Sequence, residues 1–140
     1  MSSQPVTDGC LICAKHRGSG PLVGPVVWSS ELVVVSHQPV GMLGHLFVET
    51  RRHVATLDSL TVPEVEAVAR AVRLVAMGLR AELAPEFVFS AVAGRQVAHF
   101  HQHVFVRHQG TPEALAWHED WAEAPTGDVG ALSTVLSRYF

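Results

Sequence analysis

The chain reads as an α+β domain: an antiparallel sheet of about five strands, one long helix packed on it, and a short C-terminal helix. Three observations predict this. Residues 61–84 carry a single apolar stripe at helical spacing, opened by a capping signal and closed by a proline. Three runs rich in β-branched residues precede that segment and two more follow it. The runs are divided by Gly-, Pro- and Ser-containing turns, some only a few residues long.

Taken in order, residues 16–25 (HRGSGPLVGP) form a Gly/Pro-rich loop. VVW (26–28) and ELVVVS (31–36) are strands joined across Ser29 and Ser30, HQPVGMLG (37–44) is a turn region, and HLFVET (45–50) is the third strand. The helix follows. Thr61 is its N-cap, Pro63 suits its first turn, and Glu64 completes a capping box. Val65, Val68, Val72, Val75, Leu79 and Leu83 make the apolar stripe, while Glu66, Arg70, Arg73 and Arg80 lie off it on a solvated face. Pro85 ends the helix. EFVFSAV (86–92) and HFHQHVFV (99–106) are the last two strands, with a tight connection between them. Residues 109–140 are a C-terminal tail, irregular until Asp128 caps a final helix running through Leu136. Trp117 and Trp121, four apart in that tail, read as packing against the core or a partner subunit.

The bulk properties narrow the function. At 140 residues the chain is expected to be a single domain, 1–140, with residues 1–8 flexible. A net charge of −3 argues against nucleic acid as a general partner, because such binding relies on basic surface. It leaves room for a small phosphorylated ligand held by local groups. No apolar run approaches the ~20 residues of a membrane span, and no basic segment followed by an apolar one opens the chain. Cytoplasmic residence is the expectation.

Two patterns carry chemistry. Cys10 and Cys13 are the two cysteines, in CLIC. In a reducing compartment that spacing suits metal binding or redox chemistry better than a structural disulfide, and two idle thiols are the plain alternative. The second pattern is AHFHQHVFVR, with His99, His101 and His103 at every second position. In a strand these share one face about 6.6–6.8 Å apart, too far to meet at one atom. A solvated row of histidines, a catalytic metal held by two of them, and a row serving three separate tasks all fit the alternation.

The assembled motifs resemble the histidine triad (HIT) superfamily of nucleotide hydrolases and transferases, over about residues 10–108. HFHQHVFV is similar to the His-φ-His-φ-His-φ-φ signature, CLIC to an N-terminal C-x-x-C of many bacterial members, and GHLFVETRRH (44–53) to the segment ending in a histidine, with Thr50 where a proline is usual. The resemblance implies a HIT-like fold and a structural zinc ion on Cys10, Cys13, His53 and His99. It implies His101 as nucleophile at the α-phosphorus of a nucleotide, with His103 donating to the phosphate or leaving group. His45 is expected to hydrogen-bond within the cluster or to be structural. It further implies a purine nucleotide or nucleotide conjugate as ligand and a homodimer. GRQVAH departs from the family's usual G-Q-[S/T]-V-x-H, so Arg95 and Gln96 become the phosphate-loop candidates. His37 falls where relatives carry an acid or amide that contacts the ribose, and Gln102 and Val106 are further departures. A non-catalytic nucleotide-binding module on the same scaffold and a metal hydrolase are the competing readings.

Overall fold

A computed structural model describes residues 9–140; the expectation of a flexible 1–8 lies outside them. Among the described residues five strands form one antiparallel sheet. They are β1 (Val26–Ser29), β2 (Val33–His37), β3 (His45–Thr50), β4 (Phe87–Ala91) and β5 (His101–Arg107), in spatial order β1-β2-β3-β5-β4. The long helix α2 (Val62–Leu83) and the short C-terminal helix α3 (Val129–Leu136) complete the expected architecture.

α2 starts as its sequence requires. Thr61 Oγ1 accepts from Glu64 N–H while the Glu64 carboxylate accepts from Thr61 N–H, so two otherwise orphaned donors are satisfied. The helix buries Val68, Ala71, Val75 and Leu79 against Leu46, Val48, Val104 and Val106 of the sheet. Val65, placed on the apolar stripe by periodicity, is 45% exposed. Its position in the first turn is taken over by Glu64, which is buried because it both caps the helix and holds Arg52 at 2.7 Å. The chain leaves α2 through Ala84, whose left-handed φ of 44° serves as C-cap before Pro85. Gly78 is where the C-terminal segment leans on α2: a Cβ there would lie 2.7 Å from Leu136.

Two local features differ from expectation. A helix, α1 (Leu11–His16), opens at the cysteine pair, where the sequence predicts no element. Six residues are too few to reveal a helical period. Strand β5 begins at His101 instead of His99. His99 and Phe100 turn into the interior just before it, at 0% and 1% exposure, and Phe100 N–H donates to Val54 C=O.

The register then sets the two faces. Leu46, Val48, Val104 and Val106 face α2. On the other side, β3 and β5 lay down three cross-strand pairs: His45 with Phe105, Phe47 with His103, and Glu49 with His101.

Candidate active site and metal cluster

At one end of that second face, α1 meets the turn after β3 and the entry to β5. Cys10, Cys13, His53 and His99 converge there, with one ligand atom from each lying within 4.8 Å of all the others. Cys10 Sγ is 3.6 Å from His99 Nδ1, and Cys13 Sγ is 3.4 Å from both His99 Nδ1 and His53 Nδ1. The two Nδ1 atoms are 3.3 Å apart. Ligands at ordinary zinc distances on the corners of a tetrahedron stand about 3.3 Å apart for two nitrogens and about 3.6 Å for nitrogen and sulfur. These four spacings are close to the edges of a tetrahedral metal site. The surroundings agree: His99 Nε2–H donates to Thr50 C=O at 2.6 Å, which leaves Nδ1 with its lone pair toward the thiols. Desolvation, reinforced by Cys10 beside it, pushes the Cys13 thiol up to about 11. A divalent cation reverses that cost by making thiolates the favoured form. These four residues can hold a metal ion.

His101 follows. Its Nδ1–H donates to the carbonyl of His99 at 2.7 Å, which assigns the lone pair to Nε2. The ring stands edge-on to His103, centroids 5.3 Å apart. His103 Nδ1 is 3.0 Å from His45 Nε2. Burial, reinforced by His103 and His37, drives His45 down to about 4, and burial with His101 nearby lowers His103 as well. Both rings are therefore neutral at pH 7, so one member of that bond must donate and the other accept.

His101 and His103 line a cavity of about 500 Å³ together with Gly94, Arg95, Gln96 and the apolar side chains of Ile12, Leu22 and Phe47. Arg95 and Gln96 are exposed residues of the loop between β4 and β5, on the rim beside His101. His103 also borders a second cavity of about 640 Å³, with His45, Phe105, Trp117 and Trp121 among its walls. Trp117 is 51% exposed and stacks over Phe105 at 6.1 Å.

His37 is elsewhere. It is 0% exposed, its Nδ1–H donates to Gln38 C=O at 2.8 Å, and its Nε2 accepts from Gly44 N–H at 2.9 Å. Both ring nitrogens are occupied, so it has nothing to offer a ribose. Its work is to hold the turn into β3, where Gly44 sits at φ 94° against Val106 and Leu83. Gln102, a departure from the family pattern, has a partner: its amide donates to Ser90 Oγ at 2.9 Å, whose hydroxyl donates to His103 C=O.

Sequence reasoning missed Lys15 and Glu49, which line the His101 cavity. Glu49 accepts from Lys15 Nζ at 2.9 Å and bonds His16 Nε2 at 2.9 Å, with side-chain exposures of 6% for Lys15 and 2% for Glu49. His16 and Lys15 overcome the desolvation cost and keep the Glu49 carboxyl below its ordinary range. The available signal was a lone carboxylate in β3, at the same alternation as His45 and Phe47.

The family model described as HIT domain matches residues 26–110. The chain belongs to the HIT domain family. No curated protein matches it. Among solved structures, this HIT protein is similar to a Zn-bound histidine triad family protein from Mycobacterium smegmatis, with 20% identity, a TM-score of 0.71, and coverage of 95% of this chain and 94% of that one. A Hit-like protein from Bartonella henselae gives 15% identity, TM-score 0.71, and coverage of 95% and 98%. A hypothetical histidine triad nucleotide-binding protein from Sulfolobus tokodaii gives 18%, 0.70, and coverage of 93% and 91%. At these identities the likeness is one of fold. The HIT fold is therefore common to all of them, whatever each binds.

Proposed function

We propose that this HIT protein is a nucleotidyl hydrolase or transferase that cleaves a bond at the α-phosphate of a purine nucleotide conjugate through an adduct on His101. One observation carries the reading. His101 lines a cavity large enough for a nucleotide and has its Nδ1–H committed to a backbone carbonyl, which leaves Nε2 as the ring atom able to attack. In the first step Nε2 bonds to phosphorus, and the bond from phosphorus to the leaving group breaks with its electron pair. His45 Nε2–H donating to His103 Nδ1 leaves the His103 proton on Nε2, from which it hydrogen-bonds the phosphate or the departing atom while keeping its proton, and solvent protonates the leaving group. In the second step water or another hydroxyl acceptor attacks phosphorus and loses its proton to solvent, and the P–N bond breaks with its electron pair returning to Nε2. Nucleotide is released and His101 regenerated. Gln96 and Arg95 contact the phosphate from the loop, Arg95 by a charge-assisted bond.

The metal cluster is read as a structural zinc site, because all four corners are protein ligands and none is left for water. Zinc supplies cohesion between α1 and the sheet and takes no part in the chemistry. A homodimer is expected through the long helix and a sheet edge; β4 is an edge strand and its Phe87 is 52% exposed.

The test is His101→Asn, assayed with nucleoside phosphoramidates and dinucleoside polyphosphates. Turnover and the nucleotidyl adduct should vanish, while zinc content and melting temperature hold. Loss of zinc in that variant would favour a metal hydrolase, and a wild-type protein that binds nucleotide without turnover would favour a binding module.

A further inference from the structure

A lysine and a glutamate taken out of water together do little net work for stability, since desolvating them offsets most of their attraction. Apolar residues would close the same space at least as well. Yet Lys15 and Glu49 stand in the wall of the His101 cavity, beside its apolar residues Ile12, Leu22 and Phe47. Their position follows from the register. Glu49 is the cross-strand partner of His101, and Phe47 that of His103. Lys15 Nζ lies over the Phe47 ring, 4.9 Å from its centroid, and that ring is edge-on to His103 at 5.1 Å and to His101 at 6.4 Å. The ammonium is thus one strand away from the histidine pair, on the same face.

Charge makes the position meaningful. His45 and His103 on this face are held neutral by burial, and Arg95 is on an exposed loop. Among the charged residues lining this cavity, Lys15 is the buried cation, fixed in place by its helix and by Glu49. Glu49 takes one of its three donors. We infer that Lys15 is a phosphate-contacting residue of this cavity, its ammonium donating to an oxygen of the nucleotide's phosphate group beside His101. Glu49, in this role, orients the lysine and tempers its charge. The inference rests on the nucleotide reading above.

Equilibrium binding of AMP and of adenosine tests it without turnover. Lys15→Met should weaken AMP about tenfold or more and leave adenosine within about twofold, while Lys15→Arg should stay near wild type for both. Glu49→Gln, nearly isosteric and still able to accept from Lys15, should tighten AMP several-fold by releasing the lysine's charge. Weakening of AMP by Glu49→Gln, or equal loss of AMP and adenosine in Lys15→Met, overturns the inference. Because binding alone is read, a failure to trap an adduct on His101 leaves the Lys15 result intact. A wild-type protein that binds neither compound overturns both.

Discussion

At the scale of single residues, Gly44 shows how local backbone geometry serves the face that carries the histidines. Its φ of 94° is in the left-handed region, and an added Cβ would come within 2.8 Å of Val106 and 2.9 Å of Leu83. Gly44→Ala should therefore combine backbone strain with overpacking and cost about 3 kcal/mol, measured by urea unfolding. His37 depends on the same residue through its N–H. His45 gives a residue-scale dependence on pH. Its folded value of about 4 lies below the ordinary 6.5, so the unfolded chain binds the proton first as acid is added. The stability it contributes is complete above about pH 6.5 and is lost progressively as the pH falls toward 4. Between pH 7 and pH 5 this amounts to about 2 kcal/mol from His45 alone. Burial depresses His103 and His37 in the same direction. Denaturation midpoints across that range check the sign, and His45→Gln should flatten the profile.

At the scale of elements, α2 and α1 are stabilised by different means. α2 is 22 residues long, carries a complete capping box and buries a full apolar face. Thr61→Ala should cost about 1 kcal/mol without altering the site, read as a shifted urea midpoint with unchanged metal content. α1 has six residues and could not persist alone. Cys10 caps it, and its Sγ accepts from Cys13 N–H at 3.4 Å. The helix and its cap bring Cys13 and Cys10 to the candidate metal cluster, and the helix supplies Ile12 and Lys15 to the cavity wall. Removing the metal should thus release α1 first. Amide exchange in residues 10–17 should rise on chelation before the sheet is affected.

Across the whole molecule, the cluster ties three distant stretches of chain together: the N-terminal helix, the turn after β3 and the entry to β5. Structural zinc sites contribute on the order of 10 kcal/mol of apparent folding free energy in small domains. A strong chelator should lower the melting temperature by about 10 °C or more, with recovery on adding zinc. A melting curve indifferent to chelation would remove zinc from this account. Among the described residues, no helix is long and apolar enough to cross a membrane.

Features that depend on neighbours along the chain were legible without coordinates. The alternation of β3 and β5, the Thr61–Glu64 cap and the stripe of α2 are short-range patterns, and each gave a strand or helix close to where it lies. Family motifs added the cysteine pair and the histidine row. What tertiary structure alone decided involves residues far apart in sequence. The turn of His99 out of its row follows from the demand of a cluster whose other members are up to 89 residues away. The burial of His37 follows from its bond to Gly44. The union of Lys15 with Glu49 beside His101 joins a helix too short to show a period with a strand that carries only one charge. None of these pairings leaves a local signature, because burial and cross-strand register are set by the whole packed sheet.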